Sequence, residues 1–165
     1  MEHGDCVKET KRILGRYNKM KVAVQNLTEE IEARTAALQG ESIAIARYGD
    51  APTGGTAELN ATEAAAARRM RAAADVAEME QRKRDLERTL RAVDRALSCL
   101  SAEDERLVRG RYVDGYAWWQ VARDAGYTEK WARDKGGKAL RDVALMVFGV
   151  SEKPLQLQLN WQPSL

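Results

Sequence analysis

Cysteine, histidine and proline are all scarce in this chain: two, one and three among 165 residues. Cys6 and Cys99 stand far apart without metal-ligand spacing, and His3 reads as part of an amino-terminal tail. Neither a disulfide nor a metal site is expected. The same scarcity excludes most catalytic arrangements. A single terminal histidine offers no nucleophile–base pair, there is no glycine-rich phosphate loop, and the carboxylates are dispersed along helical patterns. The expectation is a protein that is not an enzyme and holds no cofactor. Apolar runs are short as well, none approaching the ~20 residues of a membrane span, and the amino terminus lacks the apolar core of a signal peptide. A cytoplasmic protein with no membrane partner is expected. Net charge is only +2 at pH 7, so any affinity for nucleic acid has to come from local placement of charge.

What the chain has instead is helical periodicity. From Val7 to about Ala46, the residues Ile13, Tyr17, Met20, Val24, Leu27, Ile31 and Leu38 alternate spacings of four and three, interrupted only at Arg34. Tyr48 to Leu59 carries three glycines, a proline and no periodicity, and reads as a flexible connection. Asn60 with Glu63 looks like a capping box that opens a second long helix. Its alanine-rich start favours helix but offers little area to bury. Further on, Val76, Met79, Leu86, Leu90, Val93, Leu97 and Leu100 repeat the seam spacing, broken at Lys83. Two seams of similar length joined by one loop predict an antiparallel, coiled-coil-like helical hairpin over residues 1–100. Seams that a single hairpin does not fully cover make a homodimer an expectation.

Residues 101–150 read as a helix-turn-helix module. Ser101 followed by Glu103, Asp104 and Glu105 is a cap with carboxylates where the helix dipole favours them, so a helix should run from Ala102 to about Val113. Asp114-Gly115 breaks it, and a short helix from Tyr116 to about Asp124 follows. Gly126 suits the next turn and Thr128 suits the cap of a third helix beginning at Glu129. Winding that helix at ~100° per residue places Ala132, Gly136, Ala139 and Val143 on a core side. Lys130, Asp134, Gly137, Lys138 and Arg141 fall opposite, flanked by Arg133 and Trp131. A largely basic outer face is what docking in a major groove requires, although such a face is equally expected of any solvated helix.

Glu105-Arg106-Leu107-Val108, Arg111-Tyr112, Asp114-Gly115, Trp118, Val121-Ala122, Gly126-Tyr127-Thr128-Glu129 and Ala139-Leu140 resemble region four of bacterial sigma factors. More narrowly, Y-V-D-G-Y-A-W-W-Q-V-A with G-Y-T-E and G-K-A-L is similar to phage-encoded, sigma-region-four-like regulators of the ArpU and RinA type. Gly110 and Ala132 depart from that pattern, which has larger apolar residues there. The resemblance implies an all-α fold and an activator of phage or prophage late genes that binds double-stranded DNA and touches host RNA polymerase in a bacterial cytoplasm.

The resemblance carries a DNA-contacting role to Lys130, Arg133, Asp134 and Lys138, the cations on guanine edges or phosphates and Asp134 on a cytosine amine, while Arg123, Lys135 and Arg141 set position on phosphates. Trp131 stands where it can touch a thymine methyl or be partly buried. Trp118 is expected in the core and Trp119 is expected to point elsewhere, toward a protein partner or the DNA backbone. Tyr112 and Tyr127 are expected as core residues with wet hydroxyls.

Gly149 should cap the last helix. The tail over residues 151–165 alternates Leu155, Leu157, Leu159 and Trp161 with polar residues, which predicts an extended arm. Its Gln156-Leu157-Gln158-Leu159-Asn160-Trp161 also resembles the peptide by which bacterial proteins dock the replication sliding clamp. Two other functions stay open beside the regulator. One is a small terminase subunit for DNA packaging, where the reading module commonly comes first in the chain. The other is a protein-interaction adaptor built on the same module.

Overall fold

Helix fills nearly all of the described residues in a computed structural model that describes residues 3–48 and 56–149, with side chains over 6–40 and 62–149. The connection at 49–55 and the tail with its clamp-like peptide lie outside the described residues. The elements are α1 (His3–Tyr48), α2 (Thr56–Ser98), α3 (Ala102–Val108), a π-helical turn (Arg109–Val113), α4 (Trp118–Ala125) and α5 (Glu129–Phe148), with no strand among the described residues.

Both long helices exceed their expected limits. His3 belongs to the first turn of α1 and not to a tail, and Cys6 is buried. Thr56 opens α2 four residues before Asn60, so Asn60 sits inside the helix and not at its start. Ala57, Glu58 and Leu59 are strong helix formers, and no glycine or proline follows Gly55 to stop the helix extending backward to Thr56.

The chain forms two compact units: one over Lys19–Leu90, the other joining the chain up to Asn18 to the chain from Arg91 onward. The boundary expected at Leu100 falls inside the latter. In the unit over Lys19–Leu90 the expected seam residues Met20, Val24, Leu27, Ile31 and Leu38 of α1, and Val76, Met79 and Leu86 of α2, are all half-buried. Lys83, which breaks the pattern, is half-buried too and reaches Glu87 at 4.0 Å. Its stem covers seam surface while its ammonium stays wet. Among this unit's described side chains only Leu90 is buried.

The other unit holds the core. Cys6, Thr10, Leu14 and Tyr17 recur on one face of α1, and Val93, Ala96 and Leu97 on one face of α2. Thr10 meets its own burial by donating to the Cys6 carbonyl at 2.8 Å. The Tyr17 hydroxyl donates to Asp94 at 2.5 Å, and burial together with that carboxylate holds its pKa above the ordinary tyrosine value. Leu107 and Val108 of α3, Val121 and Ala122 of α4, and the α5 face of Ala132, Gly136, Ala139, Leu140, Val143 and Ala144 complete the buried set. Both α3 and α4 pack on α5.

Candidate nucleic-acid interface

The capping signals act where the sequence places them. Ser101 Oγ accepts from the Asp104 amide at 3.1 Å, and Thr128 Oγ1 accepts from the Trp131 amide at 3.3 Å. Between α4 and α5, Gly126 takes φ 75° and the Tyr127 amide donates to the Ala122 carbonyl at 2.9 Å. This closes α4 in a left-handed cap and reverses the chain within three residues. Ala117 lacks a side-chain oxygen, so the start of α4 depends on Gln120, whose Oε1 accepts from the Ala117 amide at 2.8 Å. For that reason α4 starts at Trp118 and not at Tyr116.

The helix expected to reach Val113 as one α-helix changes to π geometry at Arg109. The Asp114 amide donates to the Arg109 carbonyl and the Tyr116 amide to the Gly110 carbonyl, both at 2.9 Å. Gly110 belongs there for lack of room. A Cβ on it would stand 3.3 Å from Val121 Cγ2, so glycine lets the π turn pass close to α4. On its other side the turn meets α1, with Gly15 close to the Tyr112 carbonyl and the Arg109 guanidinium 5.9 Å from the Tyr17 ring centre.

With Ala132, Gly136, Ala139 and Val143 buried, the winding of α5 leaves Lys130, Arg133, Asp134, Lys138 and Arg141 exposed. Gly137 lies among them, half-buried, and nothing among the described residues would come within 4 Å of a Cβ there. Arg133 is tied to Glu129 one turn back. Such an exposed helical pair contributes little and leaves the guanidinium open to exchange for another anionic partner. Arg123 lies on α4 beside Asp124 at 3.4 Å, with its guanidinium 5.3 Å from the ring centre of the exposed Trp119. Trp119 does point away from the core, as its neighbour Trp118 packs inward in an edge-on contact with Tyr112, ring centres 6.0 Å apart.

Lys135 does not share the open face. It is half-buried, and its ammonium is hydrogen-bonded to Glu103 and 3.8 Å from Asp104, both in the first turn of α3. It also lies 4.9 Å from the Trp131 ring centre. Tyr127 stacks on Trp131 with centres 3.8 Å apart and hydrogen-bonds Glu103. The Lys135 and Tyr127 bonds hold the Glu103 carboxyl below its ordinary pKa, and the same carboxylate raises both Lys135 and Tyr127 above theirs. The four side chains tie the start of α3 to the turn before α5 and to its second turn.

One expectation changes as a result, and for Trp131 partial burial is the alternative that holds. Tyr127 is an exposed part of this network and not a core residue. Trp131 is half-buried against the cluster of Leu107, Val121, Ala122 and Ala132, with Tyr127 over its ring. The sequence showed Glu103 only as a favourable first-turn charge. Its link to Lys135 spans 32 residues and left no local signal.

Charge on α5 is nearly balanced. Lys130, Arg133, Lys135, Lys138 and Arg141 face Glu129, Asp134 and Asp142, and Lys135 is spent on α3. The positive field at this face is therefore local and modest. No family model matches the chain, and no curated protein or solved structure matches it either.

Proposed function

We propose that this protein is a sequence-specific DNA-binding transcriptional regulator, with α1 and α2 as an antiparallel hairpin and α3 to α5 as a sigma-region-four-like helix-turn-helix module. The observation that carries the reading is the division of α5. One side is buried through small residues, and the other shows Lys130, Arg133, Asp134, Lys138 and Arg141 around Gly137, following a three-residue turn from α4.

In this reading α5 enters the major groove. Lys130 and Arg133, near its amino end, pair with guanine edges or phosphates, and Asp134 accepts from a cytosine amine. Lys138, Arg141 and Arg123 hold the backbone and fix register without reading sequence. Lys135 acts from behind, by holding α5 on α3. The sequence resemblance adds the biological setting: a phage or prophage late-gene activator that contacts host RNA polymerase. The exposed Trp119 gives α4 a surface for that contact.

Footprinting on fragments of the gene's own genomic neighbourhood, at low and high salt, tests the proposal. A protected site that disappears with Lys130→Ala and Arg133→Ala is the expected result. An absence of protection even at low salt discards it. The near-balance of charge on α5 and the exposure of Trp119 favour one second reading, a protein-docking adaptor on the same module. That reading predicts capture of polymerase without DNA and with little dependence on salt.

A further inference from the structure

Residues Lys19–Leu90 make up a unit of two helical stretches in which, among the described side chains, the seam residues are only half-buried, apart from Leu90 at its border. An amphipathic helix stabilises a fold only by burying its stripe, and two helices side by side leave each stripe half open. One side of this pair forms a groove of about 830 Å³. Its half-buried floor is Ala23 and Leu27 of α1 with Leu86 and Thr89 of α2, and its exposed rim is Asn26, Glu30, Arg82 and Asp85. Each helix contributes residues at i, i+3, i+4 and i+7, which is two turns of one face.

We infer that this groove is a homodimer interface, in which a second copy of the chain lays the same face on it to close a four-helix bundle. The rim decides the occupant. It carries a cation, Arg82, and two carboxylates, Glu30 and Asp85, on one small face. A surface with both signs is complementary to itself: in an isologous contact Arg82 of each copy meets an acidic rim residue of the other, and each pairing occurs twice. The present partners of the rim charges do not compete. Arg82 pairs with Glu78, Glu30 with Arg34 and Asp85 with Arg88, each within one turn on the same helix and in the open, where such pairs contribute little.

The size is adequate as well. From Met20 to Leu38 the helix rises about 28 Å, and two helices abreast are about 20 Å across. That footprint of roughly 560 Å² in projection clears the ~500 Å² per partner that a biological interface needs. Nothing in this inference depends on DNA binding.

Sedimentation of the full chain from about 1 to about 200 µM tests it without DNA. The expected result is a concentration-dependent species of twice the 18.4 kDa chain mass. Arg82→Glu alone, and Glu30→Lys with Asp85→Lys, should each weaken the dimer about tenfold or more, and an equimolar mixture of the two variants should restore it as a heterodimer. All three positions are exposed, so helicity should hold and report that folding is intact, while the melting temperature should fall with the lost dimer and no longer rise with protein concentration. A wild-type chain that stays monomeric at the highest concentration, or a dimer that both reversals leave unchanged, overturns the inference.

Discussion

Trp118 occupies the space that any side chain at Gly136 would need: a Cβ there would fall 2.5 Å from Trp118 Cη2 and 2.9 Å from Cζ3. The glycine is what allows an indole from α4 to lie against the α5 backbone. Gly136→Ala should therefore destabilise the protein by about 1–3 kcal/mol through overpacking, even though alanine favours helix by ~1 kcal/mol. Urea unfolding followed by tryptophan fluorescence measures it, and an unchanged or higher midpoint would contradict the packing described.

Gly137 makes the opposite prediction one residue later. A Cβ there meets nothing among the described residues, so Gly137→Ala should raise stability by up to ~1 kcal/mol. If α5 approaches DNA along this face, the larger Gly137→Leu should keep the gain in stability while weakening binding. Gel-shift and denaturation on the same preparations separate the two effects. Full DNA affinity in Gly137→Leu would mean that the helix does not dock on this side.

These two glycines show what the sequence could and could not say. Caps, turns and the buried side of α5 were legible, because Ser101, Thr128, Gly126 and the spacing of Ala132, Gly136, Ala139 and Val143 act through nearest neighbours and helix geometry. The winding of α5 puts Gly136 and Gly137 on different sides but gives both the same cost of ~1 kcal/mol against alanine. Only the placement of Trp118 distinguishes a glycine required by packing from one with open space above it. Likewise, Cys6, Thr10, Leu14 and Tyr17 read as the continuation of a stalk. Their burial in the unit that also holds α3 to α5 depends on contacts such as Tyr17 with Asp94, 77 residues apart.

The link between Glu103 and Lys135 should appear in the pH dependence of stability. The folded pKa of Glu103 is lowered, so its contribution is present above the ordinary carboxylate value of about 4.3 and is lost as pH falls through the lowered one. Lys135 and Tyr127 are raised. Their contributions are complete below about pH 10 and vanish as pH rises through their folded values. Glu103→Gln should lower the melting temperature across the neutral range and flatten its acid limb. Wild-type and variant curves that run parallel from pH 7 to about pH 3 would show that the carboxylate contributes nothing.

Lys135 and Lys138 are near neighbours on one helix, and the sequence alone gives both to DNA. Their surroundings separate them: Lys135 is held by Glu103 against α3, whereas Lys138 is exposed. Lys138→Gln should therefore weaken binding to all sequences alike and reduce the salt slope of log K by roughly 0.9, the signature of one lost phosphate contact. Lys135→Gln should lower thermal stability and leave the salt slope nearly unchanged, because its ammonium is already neutralised in the free protein. Arg133→Ala should differ from both by relaxing preference at one base position, at a cost of about 1–3 kcal/mol against the preferred site alone. Binding isotherms at four or five salt concentrations, on the footprinted site and on a scrambled one, distinguish the three. A Lys135→Gln slope that falls as far as that of Lys138→Gln would mean that DNA pulls Lys135 away from Glu103, and that α5 shifts on α3 when it binds.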